Sequence, residues 1–307
     1  MKIAVVGAGG VGASFGAMLA QAGHEVALLA RGAHLEAIRA SGLTVERAGS
    51  QATLKLAASD KAADLGVADV VLFAVKLWST EEAGEAARPL VGPDTMVLVL
   101  QNGVDGLARL SPILGSDRVV GGVAQISAVI ASPGHVVHRS PFARVIAGEP
   151  AGGMSERVRT FIEACSAAGL EARASENIQV DLWTKFVFIV GLSGATALLR
   201  SPVGPIREDD ETKGFLLRLF EETTAVGRAE GIDLPADQGT RALAFAGDLP
   251  ANMRASMLDD LERGGRIEMP WLSGHVVALG MRHGIDTPAN RTVRLALKLH
   301  ADGPPKA

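Results

Sequence analysis

The chain has 307 residues, and its composition excludes several classes of protein. At ~100–200 residues per domain, this length predicts two domains. The single cysteine, Cys165, excludes an intrachain disulfide, a cysteine-rich zinc site and an iron–sulfur cluster, and it is typical of a protein in the reducing cytoplasm. The absence of tyrosine excludes a tyrosine acid or base. A net charge of −4 offers no basic field to nucleic acid, which we exclude as a partner.

The mean hydropathy of +0.23 raises the question of a membrane segment. The longest apolar stretch, from Val187 to Leu199, is flanked by Lys185 and Arg200. It falls short of the ~20 apolar residues that a membrane span needs, so it predicts a buried helix. We therefore expect a cytoplasmic protein without a membrane partner. The sequence is compatible with a homodimer and does not decide between monomer and dimer.

The first half of the chain alternates short β-branched runs with helical patterns, which predicts βαβ units and a parallel sheet. The predicted strands are Ile3–Val6, Glu25–Leu29, Val70–Val75, Met96–Leu100 and Arg118–Val123. The predicted helices between them are Ser14–Ala22, Ala33–Ala40 and Thr80–Ala87. Beyond Gly122, turn signals separate short apolar runs such as His135–His138 and Ala143–Ala147. This pattern predicts a β-meander appended to the sheet.

From about Glu176 the strand signals end, and helical periodicity continues toward the C-terminus. The first long helix is predicted from about Asn177 to Leu199. The predicted fold class is α/β, with an N-terminal Rossmann-type doubly wound sheet followed by an all-helical C-terminal domain. We place the two domains at residues 1–175 and 176–307.

A glycine-rich motif follows the first predicted strand and opens a helix, which is the setting in which G-x-G-x-x-G binds a dinucleotide. Gly7 permits the tight turn, Gly9 lets the backbone approach a pyrophosphate, and Gly12 lets the helix pack closely on the strand. The free N–H groups of the helix N-terminus then face the phosphates. The predicted cofactor-binding residues of this motif are Gly7, Ala8, Gly9, Gly10, Val11 and Gly12.

The end of the second predicted strand bears on the choice between NAD and NADP. NAD enzymes usually have an acidic residue there, which holds the ribose 2′-hydroxyl. This chain has Arg31, and a cation suits the 2′-phosphate of NADP. We therefore expect NADP(H) as the cofactor; the alternative is that Arg31 is a solvated surface arginine. Lys76 and Asn102 follow two later strands, and each is either a ligand contact or an ordinary polar residue at a strand end.

Lys185 lies among apolar residues of the long predicted helix. Helical spacing places it on one face with Ile189, Ser193 and Thr196. Burial lowers the pKa of a lysine from ~10.4, the direction that suits an acid working near neutral pH. The alternative is a lysine at a helix end whose ammonium reaches solvent.

These residues, in this order, resemble the ketopantoate reductase (2-dehydropantoate 2-reductase) family, which reduces 2-dehydropantoate to pantoate with NADPH in pantothenate biosynthesis. The resemblance spans nearly the whole chain. It implies a Rossmann domain followed by a helical substrate and catalytic domain, with the active site between them. The matching features are the glycine motif, Arg31, Val75-Lys76, Gln101-Asn102-Gly103, Pro133-Gly134, Leu182 to Lys185, Ser256 to Asp260, and Ile267-Glu268.

The resemblance also implies roles for individual residues. Lys185 matches the general acid, and Glu268 matches the acidic partner that holds the lysine and the nascent hydroxyl. Asn102 matches a residue placed between the nicotinamide ribose and the substrate, and Ser256 matches a hydroxyl that binds the substrate carboxyl. The residues that match cofactor contacts are Lys76, Asn102, Ala128 and Glu268.

Two positions depart from the family. Ile189 and Ser193 stand where asparagines commonly reach the substrate. Isoleucine offers no hydrogen bond, whereas Ser193 remains a candidate substrate contact. The substrate is therefore expected to be 2-dehydropantoate or, as an alternative, a more apolar 2-keto acid.

Two other functions are alternatives to this reductase. One is a non-catalytic NADP(H)-binding sensor that retains the fold. The other is a β-hydroxyacid dehydrogenase, although residues 177–184 lack the glycine-rich segment that usually precedes the lysine in that group. No metal site is expected, because His135 and His138 are three residues apart and would point to opposite faces of a strand.

Overall fold

The computed structural model describes residues 1–140 and 142–305. They form two compact units. The first consists of Met1–Gln101 and Asp105–Asp181, and the second of Asn102–Val104 and Leu182–Ala307. The division after Asp181 falls within a helix and lies close to the predicted domain boundary.

The first unit contains all the strands of the described residues and five complete helices. The strands are β1 (Lys2–Val6), β2 (Glu25–Leu29), β3 (Leu43–Arg47), β4 (Ser50–Leu54), β5 (Ala57–Ser59), β6 (Ala68–Phe73), β7 (Val91–Val99), β8 (Val119–Gln125), β9 (Ala128–Ser132), β10 (His135–His138), β11 (Arg144–Gly148) and β12 (Glu171–Ala174). The helices are α1 (Gly10–Gln21), α2 (Gly32–Ser41), α3 (Thr80–Ala87), α4 (Gly106–Leu114) and α5 (Glu156–Ala167).

An eight-stranded sheet forms the centre of this unit, with the order β12-β11-β8-β7-β6-β1-β2-β5. Strand β1 pairs in parallel with both β2 and β6. The strand order therefore reverses at β1, and the carboxyl end of such a switch point is where open α/β sheets bind ligands. The β1 residues Ile3 to Val6 are almost completely buried, as expected for a strand covered on both faces.

Helix α1 begins at Gly10, four residues before the predicted start at Ser14. The difference arises because the last three residues of the glycine motif, Gly10 to Gly12, already belong to the first helical turn. The buried residues of α1, including Phe15 and Leu19, belong to the hydrophobic core of the first unit. The motif therefore lies at the end of β1 and the start of α1, as predicted.

A second, four-stranded sheet has the order β4-β3-β10-β9. Strand β10 pairs antiparallel with β9 and parallel with β3. Of the three strands β9, β10 and β11, only β11 joins the large sheet, where it pairs antiparallel with β8. The predicted β-meander appended to the large sheet is therefore wrong. The hairpin of β3 and β4, which the sequence analysis did not identify, supplies another pairing edge, and the Thr44 N–H donates to the Gly134 carbonyl there, at 2.8 Å.

The second unit is helical. Its elements are α6 (Ile178–Leu199), whose first residues belong to the first unit, α7 (Val203–Glu208), α8 (Asp210–Ala229), α9 (Gln238–Asp248), α10 (Ser256–Glu262), α11 (Ser273–His283) and α12 (Pro288–Leu297). The predicted fold class, a Rossmann-type sheet followed by a helical domain, is confirmed.

Helix α6 is the core element of the second unit. A Cβ placed on Gly191 would lie 2.2 Å from the Phe220 ring, so α6 and α8 approach closely at this glycine. Among the described residues, α6 is also the one helix long and apolar enough to cross a membrane, but 67% of its most apolar window is buried within the protein. That burial is the pattern of a core helix.

Candidate active site

The glycine motif connects β1 to α1 in a backbone path that needs glycine at its ends. Gly7 has φ +94°, and a Cβ there would lie 2.8 Å from the Val75 backbone nitrogen. Both the conformation and the space therefore require glycine. A Cβ on Gly12 would lie 2.3 Å from the Gly7 carbonyl oxygen. These two glycines let the helix start directly against the strand.

Gly9 differs from its neighbours because it borders open space. Its backbone is extended, with φ −73° and ψ −170°, a conformation open to any residue. Within the described residues, a Cβ added to Gly9 would meet no atom within 4 Å outside its chain neighbours and its own helix. The space lies at the N-terminus of α1, whose free N–H groups attract anions. The loop therefore fits the pyrophosphate of a dinucleotide.

Gly10 has a different neighbour. A Cβ on Gly10 would lie 2.1 Å from the carbonyl oxygen of Ala128, the first residue of β9. The structure thus brings together Gly10 and Ala128, both of which the sequence analysis predicted as cofactor contacts. Packing of the β9 backbone against α1 is sufficient to require glycine at this position.

The two predicted cations of the first unit are both exposed. Arg31 follows β2, and its guanidinium lies 3.2 Å from the carboxylate of Glu82, with the two side chains 73% and 75% exposed. An exposed pair of this kind contributes little to stability, so Arg31 is available to an anionic ligand. Lys76 follows β6, and its ammonium lies 5.7 Å from the centre of the Trp78 ring.

Gln101 has a positioning role that the sequence analysis did not assign. Its side-chain amide donates to the Val75 carbonyl, at 3.0 Å, and to the Thr80 hydroxyl, at 2.9 Å. These bonds connect the end of β7 to the segment after β6. They hold the chain that leads directly into Asn102.

Lys185, Glu268 and Asn102 come together in the second unit. Lys185 is half-buried on α6, and Glu268 is only 5% exposed. Burial lowers the pKa of Lys185 to about 8, while the negative charge of Glu268 opposes this change. The Asn102 amide nitrogen lies 3.5 Å from a Glu268 carboxylate oxygen. A lysine that can give up a proton near neutral pH is therefore under the influence of a buried carboxylate, and that carboxylate in turn lies beside an amide.

Backbone hydrogen bonds and aromatic contacts involve the residues of this cluster and their chain neighbours. The Glu268 carbonyl accepts hydrogen bonds from the Trp271 and Leu272 N–H groups, at 3.0 and 3.1 Å. The Phe186 ring, next to Lys185 in the chain, packs edge-on against Trp183 and His275, at 5.4 and 6.3 Å between ring centres. Burial of the ammonium is the physical cause of the lowered lysine pKa. His275 is a neighbour that the sequence analysis missed.

The predicted substrate contacts occupy different environments. Along the α6 face, Ile189 is half-buried and Ser193 is buried. Ser256 is exposed at the first residue of α10. Substrate binding by the two serines stays a prediction.

Comparison with known proteins places these features in one family. The model of the ketopantoate reductase PanE/ApbA family matches residues 3–152, and the model of its C-terminal domain matches residues 177–301. The 2-dehydropantoate 2-reductase of Mesorhizobium japonicum is 33% identical, covering 94% of each chain. An uncharacterized oxidoreductase of Bacillus subtilis, YkpB, is 30% identical, covering 98% of this chain and 99% of the relative.

Solved structures agree. A PanE/ApbA family ketopantoate reductase from Ralstonia eutropha has a TM-score of 0.89 and 33% identity, covering 98% of both chains. D-mandelate dehydrogenase, solved with NADH and anilino(oxo)acetate, has a TM-score of 0.90 and 22% identity, also covering 98% of both chains. At that identity the second likeness concerns the fold alone.

Proposed function

Because this chain belongs to the ketopantoate reductase family, and is therefore an oxidoreductase that acts on a 2-keto acid, we propose that it converts 2-dehydropantoate to pantoate with NADPH. The observation that carries the proposal is the half-buried Lys185, with a pKa of about 8, in the same unit as the buried Glu268. We assign the cofactor to residues 1–175 and the acid–base chemistry to residues 176–307.

Lys185 is the general acid of the proposed reaction. A bound nicotinamide supplies the hydride that reduces the keto carbon. Negative charge then builds on the carbonyl oxygen, and the Lys185 ammonium stabilises that charge and donates its proton there. A lysine with a pKa of about 8 is protonated at pH 7 and releases its proton more readily than a solvated lysine.

Glu268 and Asn102 support this step. The Glu268 carboxylate opposes the loss of charge on Lys185 and so keeps the acid protonated before the reaction. The Asn102 amide, 3.5 Å from a Glu268 carboxylate oxygen, orients a ribose or substrate hydroxyl in the proposed reaction. The chain has no tyrosine, so this lysine replaces the tyrosine acid that many other dehydrogenases use.

Arg31 supports NADP(H) over NAD(H). Its exposed guanidinium follows β2, where an acidic residue would bind the 2′-hydroxyl of NAD. Lys76 adds a second exposed cation after β6.

The buried α6 and the buried single cysteine, Cys165, support our proposal that the enzyme works in the cytoplasm.

A more apolar 2-keto acid is a second candidate substrate. Ile189 favours it, because this half-buried side chain lies one helical turn beyond Lys185 and offers no hydrogen bond to a substrate hydroxyl. Steady-state rates with 2-dehydropantoate and with 2-keto acids that lack its hydroxyl distinguish the two. A strong preference for 2-dehydropantoate excludes the apolar candidate.

The mechanism is tested by following NADPH oxidation over the same substrates with Lys185→Ala and, as a matched control, the exposed Lys213→Ala of α8. Loss of a general acid typically lowers the rate by ~10²–10⁴-fold, whereas the control should retain wild-type activity. If Lys185→Ala turns over like the wild type, Lys185 is not the acid. If the wild type binds NADPH but reduces no 2-keto acid, the reductase mechanism fails and the non-catalytic NADP(H)-binding sensor is favoured.

A further inference from the structure

An ion pair links the two chain segments that flank the glycine motif. Strand β1 lies between β2 and β6 in the large sheet, and the motif follows β1. Arg31 follows β2, whereas Glu82 lies in the first turn of α3, the helix that comes after β6. The Arg31 guanidinium and the Glu82 carboxylate meet at 3.2 Å. The pair therefore joins the chain on one side of the motif to the chain on the other.

Backbone hydrogen bonds place the two strand ends beside the motif. The Gly7 N–H donates to the Leu29 carbonyl at the end of β2, at 3.3 Å. On the other side, the Ala74 N–H, just after β6, donates to the Val6 carbonyl, at 2.8 Å. The crevice at the carboxyl ends of such strands is where an open α/β sheet binds a dinucleotide. Arg31 and Glu82 thus meet at the two sides of the proposed cofactor site.

The start of α3 is fixed, so the fold determines where Glu82 lies. The neighbouring carboxylate, Glu81, accepts two hydrogen bonds from Arg109, at 2.7 and 2.8 Å. Arg109 also donates to the Leu77 carbonyl, at 2.8 Å, and so holds the segment before α3 against α4. The two consecutive carboxylates have separate arginine partners, and Glu82 is the one that pairs with Arg31.

The pair can open at little cost. Its side chains are 73% and 75% exposed, and an exposed ion pair contributes little to stability. A phosphate monoester carries about 1.5 to 2 negative charges near pH 7 and binds the fork of a guanidinium through parallel hydrogen bonds. A 2′-phosphate on Arg31 must therefore displace Glu82 and lie close to its negative charge. A 2′-hydroxyl has no charge and makes neither demand.

We propose that Glu82 is a specificity-determining residue of the cofactor site: its carboxylate competes with the 2′-phosphate of NADPH for Arg31 and does not oppose NADH. This inference rests on the proposed function, in which Arg31 binds that phosphate. Arg31 creates the preference for NADPH, and Glu82 narrows it. NAD enzymes usually have their acidic residue at the end of β2; in this chain the carboxylate that reaches that place comes from α3.

Glu82→Gln removes the charge and keeps the size of the side chain. We expect the Kd for NADPH to fall ~3- to 10-fold, the scale of an exposed ion pair together with repulsion between neighbouring charges. The Kd for NADH should change less than about twofold, because no phosphate meets the carboxylate. Glu82→Lys should shift the ratio of the two Kd values in the same direction and further. Fluorescence titration gives both values, and thermal unfolding recorded in parallel shows whether each variant is folded.

Glu85→Gln is the matched control. It neutralises another exposed glutamate of α3, which is paired with Arg88, and changes the net charge by the same amount. It leaves the pair of Arg31 and Glu82 intact, so the ratio of the Kd values for NADH and NADPH should stay as in the wild type. If Glu82→Gln leaves this ratio unchanged, or if Glu85→Gln widens it equally, the proposal is wrong.

Salt separates an effect of charge from an effect of structure. At 1 M ionic strength the Debye length is only ~3 Å, so the gain in NADPH affinity of Glu82→Gln over the wild type should largely disappear. A gain that persists there comes from an altered structure of α3 and refutes the proposal. A wild type that binds neither cofactor refutes the proposed function and this inference with it. A wild type that binds NADPH with a ratio unaffected by Glu82→Gln refutes only the role of Glu82.

Discussion

Replacement of Gly9 by alanine separates cofactor binding from folding. The added methyl group meets no atom within 4 Å outside its chain neighbours and its own helix, among the described residues, and the φ of −73° suits alanine. The same methyl group occupies the space that we assign to the pyrophosphate. We expect a protein that folds normally and binds NADPH poorly.

The two magnitudes follow from this geometry. Alanine is a poorer N-cap than glycine by a few tenths of a kcal/mol up to ~1 kcal/mol, and it gains about 0.4–1 kcal/mol by restricting the unfolded chain. The net change in the free energy of unfolding is below ~1 kcal/mol, or less than about 4 °C in Tm. A displaced phosphate loses at least one charge-assisted hydrogen bond of ~1.5–3 kcal/mol, which raises the Kd for NADPH about 10- to 100-fold.

Gly12→Ala is the matched control, because its methyl group would lie 2.3 Å from the Gly7 carbonyl oxygen. Overpacking of this kind typically costs ~1–3 kcal/mol, so this variant should unfold at a lower temperature than Gly9→Ala. Thermal unfolding without cofactor and NADPH titration give the two readouts. Wild-type affinity in Gly9→Ala would show that the pyrophosphate does not approach Gly9.

Four further predictions concern ionisable groups. Because the pKa of Lys185 in the unliganded protein is about 8 and the reduction needs its protonated form, the pH profile of kcat/KM should be level below pH ~8 and fall about tenfold per unit above it. Glu268→Gln removes the charge that raises this pKa, so the fall should begin at lower pH; an unchanged profile contradicts the assignment. Arg31→Glu should raise the Kd for NADPH at least about tenfold and that for NADH much less, and Arg88→Glu, which alters another exposed arginine–glutamate pair, should change neither. Burial raises the pKa of Cys165 to about 12, so iodoacetamide at pH 8 should label it only after unfolding.

The parts of the fold that the sequence predicted are those with local causes. Strand β1, the glycine turn and α1 are continuous in the chain, and their hydrophobic pattern and glycine spacing are sufficient to identify them. The placement of β10 has no local cause. Its apolar run is compatible with either sheet, and the outcome depends on pairing with β3, about 90 residues earlier in the chain.

The site shows the same division between local and distant causes. The helical face of Lys185 was apparent from its neighbours, whereas Glu268 is one carboxylate among the 34 acidic residues and was identified only by resemblance. Nothing in the sequence around Arg31 indicates that its guanidinium meets Glu82, 51 residues later. Contacts of this kind arise from tertiary packing, which single-sequence patterns do not contain.

The four glycines of the motif also differ in what they reveal about function. Gly7 is required by its positive φ, and Gly10 and Gly12 by backbone atoms within 2.1–2.3 Å of an added Cβ. A protein with this fold and no cofactor would need all three. Gly9 alone has neither constraint in the described structure, and its preference as the N-cap of α1 contributes at most ~1 kcal/mol, so a bound ligand would be the strongest reason for a glycine there. The functional content of the motif therefore rests on Gly9, which is why its replacement is the sharpest test of cofactor binding.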